Sequence, residues 1–273
     1  MAQKKTNRRR KRKKSLWRRM TPLCRGLIIG SGVILVICIA MAIAGGSKKD
    51  NNEVKQGSTV VSNQTNSNTQ LETQPVATSA ASNYGKKNIV CIDAGHGGSD
   101  GGAAANGVVE KDQDLMMAEL VKQNLESAGI TVILTRDSDT DVSLEQRVAT
   151  ANASEACLIV SIHRNTSEAD KSASGVEAWI AANNPVDANQ LATGIINKLT
   201  TDVSGFNNRG VKTGTMNNPK TNYYINGFTN MTSMILELGF ITSDKDNDII
   251  MSQRSACAKA ISDGIIDYTK TLK

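Results

Sequence analysis

Acidic residues are missing from the first 25 positions of this 273-residue chain, where a dozen lysines and arginines crowd together. The formal net charge of +6 therefore averages two unlike parts, and everything after Arg25 carries a mild acidic excess. A basic balance with that origin gives no reason to expect nucleic acid on the folded part. Charge of either sign is missing from Gly26 to Gly46 (GLIIGSGVILVICIAMAIAGG), a length that spans a hydrocarbon core of roughly 30 Å as a helix. No second apolar run of that length follows, which argues against a multi-pass topology, and no internal repeat is visible. The five cysteines show no paired spacing, so no disulfide framework is expected. Cys24 sits at the edge of the apolar run and Cys38 inside it. Cys91, Cys157 and Cys257 fall on apolar strand or helix positions and read as small buried hydrophobes.

The basic residues precede the apolar run, with Lys48 and Lys49 a small exception just after it. The positive-inside bias then makes residues 1–25 a basic cytoplasmic tail, 26–46 a single transmembrane anchor, and everything later extracellular. A cleaved signal peptide is the rival reading, because Ala42-Ile43-Ala44 resembles a cleavage site. The run exceeds the usual h-region of about 7–15 residues and its basic lead-in is long, which favours the uncleaved anchor. In both readings the rest of the chain is exported. The adjoining span also sets aside KKTNRRRKRKK as a DNA-binding patch. Residues 47–86 are rich in Ser, Thr, Asn and Gln. They hold too few large apolar side chains to offset their ordering entropy, and read as a disordered linker.

From residue 87 to 273 strands alternate with helices, which predicts one α/β domain: a mainly parallel sheet flanked by helices on both faces. Asn88 to Ile92 reads as a strand running into the Gly-rich DAGHGG, and a helix follows near Asp112 to Ala128 with Leu115, Ala118, Val121 and Leu125 on one face. Thr131 to Thr135 is a second strand. Ser143 and Gln146 form a capping box opening a helix that carries Leu144, Val148 and Ala151. Cys157 to Ile162 is a fully apolar strand delivering His163 at its end, and Gly175 to Ile180 is another. Ala188, Leu191, Ala192, Ile195, Ile196 and Leu199 recur at helical spacing. Val211, Tyr223 to Ile225 and Ser233 to Leu238 read as extended, and a last helix places Cys257, Ala260, Ile261, Gly264, Ile265 and Tyr268 on one face.

Histidine is scarce: His96 and His163 are the only two in the chain. Each is expected at the C-terminal end of a strand, the edge at which open parallel sheets bind ligands. A catalytic zinc site takes three protein ligands and keeps an open position, His₂Glu being one such set. With no histidine left and the cysteines at core positions, a third ligand must be a carboxylate. Spacing does not choose among Asp93, Asp100, Glu110 and Asp112. Glu237 is the other unusual residue, an acid inside the apolar strand SMILELGF that needs a partner, solvent or a proton.

From about Lys87 to Lys273 the chain resembles the zinc-dependent N-acetylmuramoyl-L-alanine amidase catalytic domain. The matching pieces run in order as IDAGHGGSDGG, VVEKD, SIHRN, GVEAWI, NRGVKT, ILELGFIT and ISDGIIDY. The resemblance implies His96, Glu110 and His163 as ligands of one Zn²⁺ and Glu237 as the catalytic glutamate. It implies peptidoglycan as substrate, cut at the amide between the MurNAc lactyl group and L-alanine by water that zinc and Glu237 activate. Asp93 and Asn165 are candidates for orienting the ligands, and the catalytic domain is expected to be monomeric. Three positions depart from the pattern. Arg164 replaces a usually small residue, Thr232 stands where proline is common, and no arginine follows Tyr224-Ile225-Asn226. The segment between His163 and Gly175 is too short for the inhibitory helix that some relatives carry.

Overall fold

The computed structural model describes residues 85–273. The basic tail, the apolar run and residues 47–84 of the expected linker lie outside the described residues. Among the described residues no helix is long and apolar enough to cross a membrane. Gly85 and Lys86, assigned to the linker by composition, are docked: the Lys86 amide donates to the Glu155 carbonyl at 2.8 Å.

The order is β1 (Ile89–Ala94), a small hairpin of β2 (Ala104–Ala105) and β3 (Val108–Val109), α1 (Glu110–Ser127), β4 (Thr131–Leu134), α2 (Leu144–Ala153), β5 (Leu158–Asn165), β6 (Val176–Ile180), α3 (Val186–Asp202), β7 (Asn208–Thr213), α4 (Tyr224–Phe228), β8 (Thr232–Phe240) and α5 (Asp244–Thr271). The six longer strands form one sheet in the order β4-β1-β5-β8-β6-β7. Every pairing is parallel except that of β6 with β8. The exception has a short cause. A parallel return needs a crossover of roughly a dozen residues or more, and the loop between β5 and β6 is shorter and carries no helix. The chain therefore turns back, leaving a slot that β8 fills at the centre of the sheet.

Strand side chains alternate between the two faces. Val90, Ile92, Leu158, Val160, Ile162, Met234 and Leu236 join the core that α1, α3 and α5 cover, while Cys91 and Ile159 join a smaller cluster under α2 and α4. Helices lie on both faces, as the alternation predicts. The six apolar positions expected on α3 are all buried, and Cys91, Cys157 and Cys257 are buried and unpaired.

Two local expectations fail. Tyr223 is extended, but Tyr224–Phe228 is a helical turn. The Tyr224 and Phe228 rings stack at 4.4 Å, an i, i+4 contact available only in a helix. Leu144 opens α2 behind the predicted capping box, yet it is 51% exposed, because the first turn of α2 projects over a cleft beyond the strands.

Helix α5 approaches α3 through Gly264, where an added Cβ would lie 2.8 Å from the Ile195 Cγ1 and 2.9 Å from its Cα. Gly264→Ala is expected to destabilise the domain by about 1–3 kcal/mol despite the better helix propensity of alanine. Gly194→Ala, whose Cβ meets nothing within 4 Å, is expected to stabilise it by about 0.5–1 kcal/mol. Denaturant midpoints of the two variants should move in opposite directions; a shift in the same direction contradicts this packing.

Candidate active site

Strand β1 is the point at which the chain changes direction. From β1 it passes through α1 to the edge strand β4, then back through α2 to β5 on the other side of β1. The two connecting helices lie on opposite faces, so a crevice opens at the carboxyl ends of β1 and β5. His96 follows β1, and His163 lies within β5, two residues before its end. Their ring centroids are 4.9 Å apart and nearly perpendicular.

The group that joins them is Glu110, the first residue of α1. Its Oε1 lies 3.2 Å from His96 Nε2 and 3.2 Å from His163 Nδ1. The same oxygen accepts the Arg164 amide at 3.0 Å, and Oε2 accepts the Ala103 amide at 2.7 Å. Burial works against its charge, but both rings and the backbone donors hold Glu110 well below the usual carboxylate range. Burial also works against charge on His96, yet Glu110 and Asp100 raise it to about 9. Asp100 Oδ2 accepts from His96 Nδ1 at 2.8 Å, and its Oδ1 accepts the Gly102 amide at 3.0 Å. Of the four carboxylates that spacing left open, Glu110 sits between the rings and Asp100 orients one of them from behind.

The loop is locked by two buried arginines. His96 adopts φ +57°, an uncommon conformation for a non-glycine residue. Arg136 donates to the carbonyls of Ala94 and Gly95, and Arg147 donates to those of Ala94 and His96. Asp93 touches neither ring. It accepts from Arg147, Thr135 and Ser161, which overcome its burial and keep its carboxyl below the ordinary value. It thus supports the His96 loop through Arg147. Asn165 donates to Glu177 at 2.9 Å and lies on the opposite flank.

Glu237 is the register partner of His163 on the neighbouring strand and faces the same cleft, of about 720 Å³. Its Oε2 is buried with no partner. Burial, with Glu110 and Glu177 adding and His163 opposing, pushes its carboxyl up to about 7.

Asp114 was not among the expected residues. It lies one turn below Glu110 with both oxygens buried and unpartnered. Burial, reinforced by Glu110 and Glu237, raises its pKa well above the ordinary value. Its ligand atom, with those of His96, Glu110 and His163, forms a group in which all lie within 4.8 Å of one another. The signal in the sequence is its i+4 spacing from Glu110 on a buried face that continues through Met117, Ala118, Val121 and Leu125. The expected face of Leu115, Ala118, Val121 and Leu125 is the core-facing one, and the buried stripe extends beyond it to Asp114 and Glu110.

Comparison with known proteins converges on one family. A sequence profile described as N-acetylmuramoyl-L-alanine amidase matches residues 90–267. The chain belongs to the N-acetylmuramoyl-L-alanine amidase family. The uncharacterized protein YqiI of Bacillus subtilis is 37% identical over 201 residues, 72% of this chain and 92% of that one. The amidase LytC of the same organism is 32% identical over 181 residues, covering 66% of this chain but only 35% of LytC. Among solved structures, the amidase AmiC2 of Nostoc punctiforme superposes with a TM-score of 0.61 at 31% identity, covering 68% of this chain and 99% of that one. The single α/β domain is thus an amidase fold.

Two glycines make room for the amidase's rings. A Cβ on Gly95 would lie 2.4 Å from His163 Cε1, and one on Gly102 would lie 2.7 Å from both Glu110 Oε2 and His96 Cδ2. Gly95→Ala should displace the His163 ring and, if the His96–Glu110–His163 group holds a divalent ion, weaken that binding by roughly 10–100-fold, in line with other supporting positions of metal sites. Competition with a chelator measures this, and unchanged affinity would show that the ring does not need its cradle.

The lone Glu237 carboxylate has a stability cost. Its folded pKa lies above its ordinary value of 4.5. The stability tied to its proton is therefore complete below about 4.5 and lost as pH rises through about 7. In chelator-treated protein, Glu237→Gln should be more stable than the parent by about 3 kcal/mol at pH 8, with the gap reduced to about 1 kcal/mol or less at pH 5. Denaturant melts at the two pH values check this; an equal gap at both excludes the buried charge as its cause.

Proposed function

We propose that the chain hydrolyses the amide between the MurNAc lactyl group and L-alanine of peptidoglycan, with one zinc ion held by His96 Nε2, Glu110 Oε1 and His163 Nδ1. The observation that carries this reading is the convergence of two imidazole nitrogens on one buried carboxylate, with the unpartnered Glu237 Oε2 facing the same cleft. Two nitrogens and one oxygen match a known catalytic donor set for zinc. The orphaned Glu237 oxygen matches a site that still has a water or substrate to receive. When bound, the ion supplies Lewis acidity, acidifying water and polarising the scissile carbonyl.

The chain's own groups do the rest. Glu237, with a pKa poised near neutrality, accepts the proton of the attacking water and returns it to the leaving amine of L-alanine. Asp100 holds the His96 ring in the tautomer that presents Nε2 to the centre. Ser161 is committed to Asp93 and plays no nucleophilic part. Tyr223, Tyr224, Ile225 and Leu144 line the cleft and offer an apolar wall to substrate. The basic tail and apolar run of the sequence support display of residues 87–273 outside the cell on a single membrane anchor.

A chelator is expected to abolish release of stem peptides from purified cell walls, and zinc to restore it. Glu237→Gln should retain zinc and lose turnover by a factor on the order of 10² to 10⁴. Product masses decide the bond: free MurNAc lactyl groups support the amidase reading, and new termini between amino acids would make the enzyme a zinc peptidase instead. Full activity of the glutamine variant would remove Glu237 from the role of base.

A further inference from the structure

On the flank of Glu237 away from α2, one arginine is held in place with its working end unused. Arg209 of β7 donates from Nε to Glu177 Oε2 at 2.8 Å, and its guanidinium lies 4.7 Å from the centroid of the Phe240 ring. Glu177 is only 2% exposed, and its other oxygen accepts Asn165 Nδ2 at 2.9 Å and Trp179 Nε1 at 3.1 Å. The β6–β7 register slips opposite Glu177, and Gly210 takes φ +80° there. This bulge turns Arg209 onto the face that Glu177 occupies. The two terminal Nη groups take no hydrogen-bond partner among the described residues, and the side chain is 35% exposed.

Position gives the free fork a meaning. Glu177 is the register partner of Glu237, so the Arg209 backbone stands two strands, roughly 10 Å, from the reacting centre. The guanidinium leans over Phe240, three residues beyond Glu237 at the carboxyl end of β8, the edge of the sheet at which the cleft opens. An extended peptide advances about 3.4 Å per residue, so a stem peptide leaving the cleft along this flank passes the fork at about its second residue. A planar pair of N–H donors matches the two oxygens of a carboxylate, whereas a carboxamide offers one acceptor and turns its own N–H groups toward the guanidinium. The second residue of the stem is linked through its side-chain carboxyl and presents its α-carboxyl either free or amidated.

We propose that Arg209, held by Glu177 and Phe240, is a specificity-determining contact for a free carboxylate on the stem residue that follows L-alanine. This rests on the amidase reading above. The test uses the full chain loaded with zinc and two MurNAc-peptide substrates that differ only in whether that α-carboxyl is the acid or the amide, with released peptide quantified by chromatography. The wild type is expected to favour the acid by roughly tenfold or more in kcat/KM, mainly through KM. Arg209→Met should bring the ratio of the two substrates close to one. Arg209→Lys, which keeps charge without the fork, should fall between them, and serves if the methionine variant does not fold. Equal handling of both substrates by the wild type, or a full wild-type ratio in either variant, overturns the assignment. Cleavage of neither substrate by the zinc-loaded wild type would instead refute the amidase reading and take this inference with it.

Discussion

The structure around the cleft depends on one buried carboxylate shared by two imidazoles. Glu110 opens α1 after a short hairpin, His96 follows β1 and His163 lies in β5, so three separate parts of the chain must be correct at once. The sheet makes this possible. Reversal of winding direction at β1 leaves a crevice at the carboxyl ends of two adjacent strands, and the short return to β6 leaves the central slot that brings Glu237 beside His163. On this face β1 and β5 begin apolar, at Cys91 and Ile159, and turn polar toward their carboxyl ends, at Asp93, Ser161 and His163. The core and the site are one surface read from opposite ends.

Three acids, Glu110, Asp114 and Glu237, stand close to the two imidazoles. Burial, reinforced by neighbouring carboxylates, makes Asp114 and Glu237 hold their protons more tightly, while Glu110 and Asp100 draw His96 toward its charged form against its burial. Arg164 and Arg136 offset part of this effect at Asp114, and His163 and His96 offset part of it at Glu237. The raised carboxyl of Glu237 suits the role of base proposed above, since a group near neutrality releases and recovers a proton at little cost. Rigidity comes from elsewhere. Arg136 and Arg147 bind the carbonyls of the His96 loop from below, and Asp93 holds Arg147 in turn.

Much of this was legible in the residues alone. The α/β alternation, the capping box at Ser143 and the apolar stripe of α3 followed from periodicity, and the strand ends at His96 and His163 followed from where the apolar runs stop. Periodicity did not single out the third member of the site. Asp93, Asp100, Glu110 and Asp112 stand near one another along the chain, and only the fold shows that Glu110 reaches between the rings while Asp100 stands behind one of them. Family resemblance, not spacing, pointed to Glu110. Asp114 was missed because the expected apolar face stopped at Leu115, and the buried stripe of α1 extends beyond it. The turn at Tyr224 was misread for a related reason: aromatic and β-branched residues favour strands until a stacked i, i+4 pair and burial of Ile225 outweigh that preference.

The central claim is that His96, Glu110 and His163 share one divalent ion. X-ray absorption at the zinc edge, on protein loaded with a single equivalent, tests it most directly. The account predicts two imidazole nitrogens and otherwise only oxygen at about 2.0–2.2 Å. A single imidazole in the coordination sphere, or sulfur at about 2.3 Å, would contradict it.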